Sequence, residues 1–220
     1  HQIPMRRLAF LLTLCLLSAT AAAHAAHTQA QLLLSADTAK PGDTIYAGVD
    51  LRMEPTWHTY WKNPGEAGLA TKIEWQLPDG VSAGQIEWPL PQKFTTADVT
   101  IYGYENEVML VVPLTIASNA VFSTNQIVLK AKVTWLECDP ETCIPAGQEV
   151  ESALNLGQAT KASPFAADIA SWRTKQPFAM TGSSTDYAWW QTTGTNDTRI
   201  LVIGHLTPKK TNSISFNVVK

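Results

Sequence analysis

The sequence predicts an all-β protein, an antiparallel sandwich, and three observations carry that expectation. Apolar and polar residues alternate with period two in several runs, the mark of strands with one buried face. Pro, Gly and Asp punctuate the runs as turn residues do. Only one short stretch has the spacing of a helix.

The elements follow in order. Leu32, Leu34 and Ala36 alternate with Leu33 and Ser35, and Lys40-Pro41-Gly42-Asp43 is a turn. Ile45, Ala47, Val49, Leu51 and Met53 then occupy one face of a long half-buried strand. Trp57-His58-Thr59-Tyr60-Trp61-Lys62-Asn63-Pro64-Gly65 is aromatic and ends in a turn. Ile73–Leu77 is a short strand closed by Pro78-Asp79-Gly80, and Ile86–Pro89 is another extended piece. Asp98–Tyr104 reads as a loop with bulky side chains. Val108, Leu110, Val112, Leu114 and Ile116 form the next alternation, where Pro113 signals an edge or a bulge. Ile127, Leu129, Ala131, Val133 and Trp135 lead directly into Cys138, and Val150–Leu156 is placed to pair back after it.

The sandwich is expected to cover residues 26–158. A helical linker over 159–181 follows, with Pro164 at the first helical position and Phe165, Ile169 and Trp172 on one face. Tyr187–Gln191, Arg199–Leu206 and Ile214–Val219 read as strands of a second β-rich unit, 182–220, which breaks off inside a strand and is expected to be truncated.

The chain has 220 residues, 45% hydrophobic and 16% charged, enough apolar material for a large core. A formal charge of −3 offers no basic face, so no nucleic-acid partner is expected. Residues 1–25 have the layout of a secretory signal. Met5-Arg6-Arg7 precedes the apolar run Leu8–Leu17, and Ala23-His24-Ala25 makes a cleavage site before Ala26, with residues 1–4 upstream of the start. Removing them takes away two arginines and no acid, so the charge moves from −3 to −5. Cys15 goes too, leaving Cys138 and Cys143 in an exported, disulfide-permissive setting.

Those two cysteines bracket Asp139-Pro140-Glu141-Thr142 at the end of a strand. Thiol–disulfide exchange needs one accessible thiolate and a second thiol close enough to resolve the mixed disulfide. A staple across so short a loop stabilises a fold by only about 2 kcal/mol in the chain-entropy model, which favours a redox role over a structural one. Glu137, Asp139 and Glu141 load negative charge around Cys138 and disfavour its thiolate. Cys143 is then expected to attack partners and Cys138 to resolve; otherwise the acids form a solvated loop that tunes nothing. The spacing is not that of a thioredoxin site. Two Cys with His27, His58 and His205 scattered give no zinc pattern, so no metal is expected. The disulfide itself would be the only redox group.

Three stretches carry a family resemblance. Trp57–Gly65, Ile101-Tyr102-Gly103 with the strand Glu107–Ile116, and Trp135–Cys138 through Cys143-Ile144-Pro145 together resemble the periplasmic N-terminal domain of the thiol:disulfide interchange protein DsbD and its ScsB-type, copper-tolerance relatives. The resemblance implies an immunoglobulin-like sandwich with the cysteines on a strand hairpin. It implies a protein-disulfide reductase module whose second cysteine meets partners. Electrons would arrive through a membrane-embedded domain of the same full-length, inner-membrane protein and a thioredoxin-like domain. They would leave to periplasmic disulfide isomerases or reductases. A cap loop shields the pair in that family; by position this falls to Asp98–Gly103, including Tyr102, with Ile101 at the tip. Two departures stand out: the family's spacer between cysteines is longer, and its cap has an aromatic tip preceded by acids where this chain has Val99-Thr100-Ile101.

Other residues keep two readings open. Tyr60 either packs near the cysteines or fills the sandwich. His58 either tunes a thiol or binds copper, or is an ordinary side chain among aromatics. Trp135 is core or active-site wall, and the eight tryptophans suit sheets and interfaces or carbohydrate. The competing class for the whole protein is a non-catalytic sandwich, for copper handling or assembly, with a structural disulfide.

Overall fold

A computed structural model describes residues 26–96 and 99–177, and the backbone of 186–193, 198–205 and 216–218. The chain divides into two compact units, His1–Pro177 and Phe178–Lys220.

The first unit is an immunoglobulin-like sandwich of two largely antiparallel sheets. One sheet has the order β1-β3-β9-β6, from Thr28–Leu34, Thr44–Met53, Glu107–Ile116 and Val81–Ala83. Its ladders are long: β1 pairs β3 from Thr28↔Met53 to Leu34↔Ala47, and β3 pairs β9 from Thr44↔Thr115 to Arg52↔Glu107. The other sheet has the order β12-β2-β11-β10-β4-β8-β7. In chain order its strands are β2 (Ala36–Ala39), β4 (His58–Gly65), β7 (Gln92–Thr96), β8 (Val99–Glu105), β10 (Gln126–Cys138), β11 (Cys143–Leu156) and β12 (Lys161–Ala162), with β5 (Lys72–Gln76) against β10.

The alternation that predicts the strands also builds the core. Val49, Leu51, Leu110 and Leu114 from one sheet and Leu129, Val133 and Leu154 from the other turn inward and are wholly buried in one cluster. Val150–Leu156 does return along β10, as part of the longer β11. Pro113 makes no bulge. It pairs with Tyr46 on one side and turns its carbonyl to Gly84 N–H at 2.8 Å on the other, where the short β6 stops pairing and one missing donor costs little.

Two local expectations are corrected. The segment Asp98–Tyr104, read as a loop, is strand β8 from Val99 onward, because Ile101, Gly103 and Tyr104 are buried against neighbouring strands. The helix α1 runs Ala166–Arg173, so Pro164 precedes it rather than opening it. Ser163 Oγ instead accepts Phe165 N–H at 3.0 Å and donates to the Leu34 carbonyl. The helix lies on the outer face of the first sheet, where Ile169 is buried with Leu33, Met109 and Val111. Phe165 stays exposed.

The second unit is a three-stranded antiparallel sheet, β13 (Asp186–Thr193), β14 (Thr198–His205) and β15 (Phe216–Val218). Among the described residues no helix is long and apolar enough to cross a membrane.

Candidate active site

The cysteine hairpin is dictated locally. Asp139-Pro140-Glu141-Thr142 has Asp at the first turn position and Pro at the second. Asp139 Oδ1 accepts the backbone N–H groups of Glu141 (2.8 Å) and Thr142 (2.7 Å), and Asp139 N–H donates to the Thr142 carbonyl at 2.9 Å. These bonds hold the Asp139 carboxylate ionised, with its pKa below the ordinary range. The turn sets Cys138 opposite Cys143 as the last pair of the β10–β11 ladder, and their sulfurs are joined at 2.04 Å.

One edge of β10 faces β11 along its whole length. The other edge meets β5 in its middle and reaches β4 only at its end, through the single pair Cys138↔His58. That end contact brings a second hairpin, β7–β8, alongside through β4. Tyr60, Ile101 and Cys138 form a small buried cluster of their own, with Phe94 and Leu136 packed against it. A cavity of about 310 Å³ opens beside it. Its walls include His58, Tyr60, Phe94, Val99, Cys138 and Cys143.

The two sulfurs are not equivalent. Cys138 is 1% exposed, and the Tyr60 hydroxyl donates to its Sγ at 3.0 Å. Burial raises the Tyr60 pKa, so this O–H keeps its hydrogen. Cys143 is exposed. His58 Nε2 sits 3.3 Å from the Tyr60 oxygen, with the two rings edge to face and Phe94 tilted beside the imidazole at 5.6 Å.

The expected acids part company. Glu137 is 0% exposed. Adjacent strand residues point to opposite faces, so it turns away from the face Cys138 shares with Tyr60. Its two oxygens accept the Trp135 indole N–H and the His27 backbone N–H, each at 2.9 Å. His27 in turn stacks on Trp57 at 3.9 Å. Glu137 therefore ties the first strand to the cysteine strand, while Asp139 and Glu105 face the cavity.

The cap residues also separate. Ile101 is not at a tip. It lies within β8, paired with Phe94 and Gly65, and its buried side chain faces Cys138 and Tyr60. Tyr102 pairs with Lys93, outside the cavity wall. Gly103 lets β8 approach β4, since a methyl there would overlap the Thr59 carbonyl. Asp98 lies outside the described residues. The sequence reading missed Phe94, which supplies an aromatic wall from β7 rather than from the segment around Ile101. It also missed Gly68, whose φ of +105° brings the backbone so close to the Tyr60 ring that any side chain would overlap it.

A β-sandwich that presents one open and one enclosed sulfur of a hairpin disulfide defines the class. The chain belongs to the family described as thiol:disulfide interchange protein DsbD, N-terminal, whose model matches residues 29–155. That family is one of thiol–disulfide exchange. Among solved structures, the N-terminal periplasmic domain of ScsB from Proteus mirabilis is similar at 21% identity and a TM-score of 0.48, over 82% of this chain and 63% of that one. The Neisseria meningitidis DsbD N-terminal domain in its reduced form is similar at 16% identity and a TM-score of 0.36, over 59% and 90%. No curated protein sequence matches the chain.

Proposed function

We propose that this chain is a periplasmic protein-disulfide reductase module in which Cys143 meets the partner and Cys138 resolves the mixed disulfide. One observation carries the reading: of two bonded sulfurs, one is enclosed and hydrogen-bonded and the other stands open at the mouth of an apolar cavity. An incoming thiolate reaches only Cys143 in line, and Cys138 leaves as a thiolate that the Tyr60 hydroxyl stabilises. A structural role is poorly served here. The ladder already closes the hairpin through thirteen register pairs, so a staple at its tip adds little.

In this reading a thioredoxin-like domain supplies two electrons from a membrane-embedded domain of the full-length, inner-membrane protein. Periplasmic disulfide isomerases or reductases receive them. Phe94 and Ile101 of the β7–β8 hairpin take the shielding role, and the flanking apolar surface is where partners seat.

Trapping tests it. With thioredoxin-like partners, Cys138→Ala accumulates adducts through Cys143, and Cys143→Ala does not. The reverse pattern refutes the assignment. A reduction potential far below about −300 mV with no exchange supports a structural bond instead.

A further inference from the structure

Tyr60 has one hydroxyl hydrogen and two polar neighbours, Cys138 Sγ at 3.0 Å and His58 Nε2 at 3.3 Å. A disulfide sulfur carries no hydrogen. In the oxidised protein the Tyr60 O–H therefore donates to Sγ, and its oxygen is left to accept from His58. That requires the imidazole tautomer with hydrogen on Nε2. Reduction places a hydrogen on Cys138. The thiol then donates to Tyr60, Tyr60 turns its O–H to His58, and His58 must offer a bare Nε2 with its hydrogen on Nδ1.

We propose that His58, Tyr60 and Cys138 form a proton relay whose polarity reverses as the disulfide opens and closes. Its contribution to rate rests on the exchange reading above; its tautomer switch does not. The steps balance. In the reduced protein the Cys143 thiolate attacks a partner disulfide, a Cys143–partner disulfide forms, and the first partner sulfur leaves as a thiolate. Cys138 then passes its proton to the Tyr60 oxygen as Tyr60 passes its own to His58 Nε2. The Cys138 thiolate attacks Cys143 Sγ, the Cys138–Cys143 bond forms, and the second partner sulfur leaves with the electron pair. The cysteine pair is oxidised, the partner disulfide is reduced, and His58 releases its Nδ1 proton to water, which leaves the hydrogen on Nε2.

The setting of His58 suits an acceptor. It lies on β4 two residues before Tyr60, so both side chains share one face. The titratable groups around it are Tyr60 on its own strand, Glu105 on β8, and Cys138 and Asp139 on the cysteine hairpin. Burial lowers its pKa below the ordinary 6.5, and Glu105 and Asp139 only partly offset this. The ring is thus neutral and ready to accept at neutral pH. His58 is a positioning residue here, acting on the sulfur through Tyr60.

Two measurements test the relay. The carbon and nitrogen shifts of the His58 ring report its tautomer in labelled protein, oxidised and then reduced with dithiothreitol. The expected result is hydrogen on Nε2 when oxidised and on Nδ1 when reduced, with the switch lost in Tyr60→Phe. One tautomer in both states overturns the proposal.

The second uses an aromatic disulfide that releases a coloured thiol. The reduced protein releases one equivalent as Cys143 attacks and a second as Cys138 resolves. His58→Phe, His58→Gln and Tyr60→Phe are expected to slow the second phase relative to the first by about 10²-fold, the lower end of general-base contributions. They should also remove its pH-independent plateau, leaving a second phase that keeps rising with pH as the free Cys138 thiolate does. Equal phase ratios in wild type and variants overturn the relay. A wild type that releases nothing, or one equivalent only, sinks the exchange reading, and the ring shifts still decide the relay.

Discussion

The β1–β3–β9 sheet and the cysteine end of the other sheet are built on different terms. The first is two uninterrupted ladders with a helix over its outer face. In the second the cysteine hairpin keeps its own β10–β11 ladder but meets β4 through one register pair, and the β4–β8 ladder shifts between Tyr60 and Gly65. Long ladders make a rigid body. The interrupted end is held by side chains: a tyrosine, an isoleucine, a phenylalanine and a sulfur. Ladder pairing dominates the one and side-chain packing the other, a contrast that suits the proposed exchange, in which the site opens to a partner.

The largest effect expected from that contrast is at Leu110, which is 1% exposed at the centre of the main core. Leu110→Ala should cost roughly 2–5 kcal/mol in denaturant unfolding of the oxidised protein. The reduction potential should hold. A potential that moves with it would mean the two regions are one mechanical unit.

Glu137→Gln sharpens the boundary, because Glu137 adjoins Cys138 in sequence yet serves the scaffold. Both oxygens accept N–H groups. An amide offers one acceptor and turns its NH₂ on the other donor. About 1–3 kcal/mol of stability should be lost. Trapping at Cys143 should persist; its loss would put Glu137 back among the residues that tune the thiol.

A pair of glycines compares the regions at matched cost. Gly68 and Gly80 both have positive φ, +105° and +86°, and both lack room for a methyl. Gly68 abuts the Tyr60 ring, whereas Gly80 abuts Ala120, away from the cavity. Each Ala substitution should cost about 1 kcal/mol or more. Only Gly68→Ala should slow exchange, by pushing Tyr60 off Cys138. Equal exchange rates would show that Tyr60 placement is not what the cavity depends on.

The contrast also explains what could be read in advance. The long ladders write themselves as alternation, so Ile45–Met53 and Ile127–Trp135 were legible, and a Cys pair flanking a turn marks its own hairpin. The interrupted end leaves no such trace. Phe94 reaches Cys138 through β8 and β4, an association no local period encodes. Its one signal is the Lys93-Phe94-Thr95 alternation facing Thr100-Ile101-Tyr102 as a hairpin. Ile101 reads as a loop tip until that hairpin is known. Glu137 reads as a tuning acid until strand alternation is applied to the last residues of β10.

The smallest expected effect is the most local. Burial holds the folded His58 pKa below its ordinary 6.5. Around and below that value the unfolded chain binds the proton more readily than the folded one, so stability rises with pH there. The contribution is fully present above 6.5 and is lost as pH falls toward the folded value. Oxidised wild type should therefore lose stability on acidification more steeply than His58→Gln, which has no such proton to bind. Chemical unfolding of both proteins across the acid side of neutrality measures the difference. Parallel curves would mean that the imidazole is as well hydrated in the fold as out of it, and that the cavity wall around it is open to water.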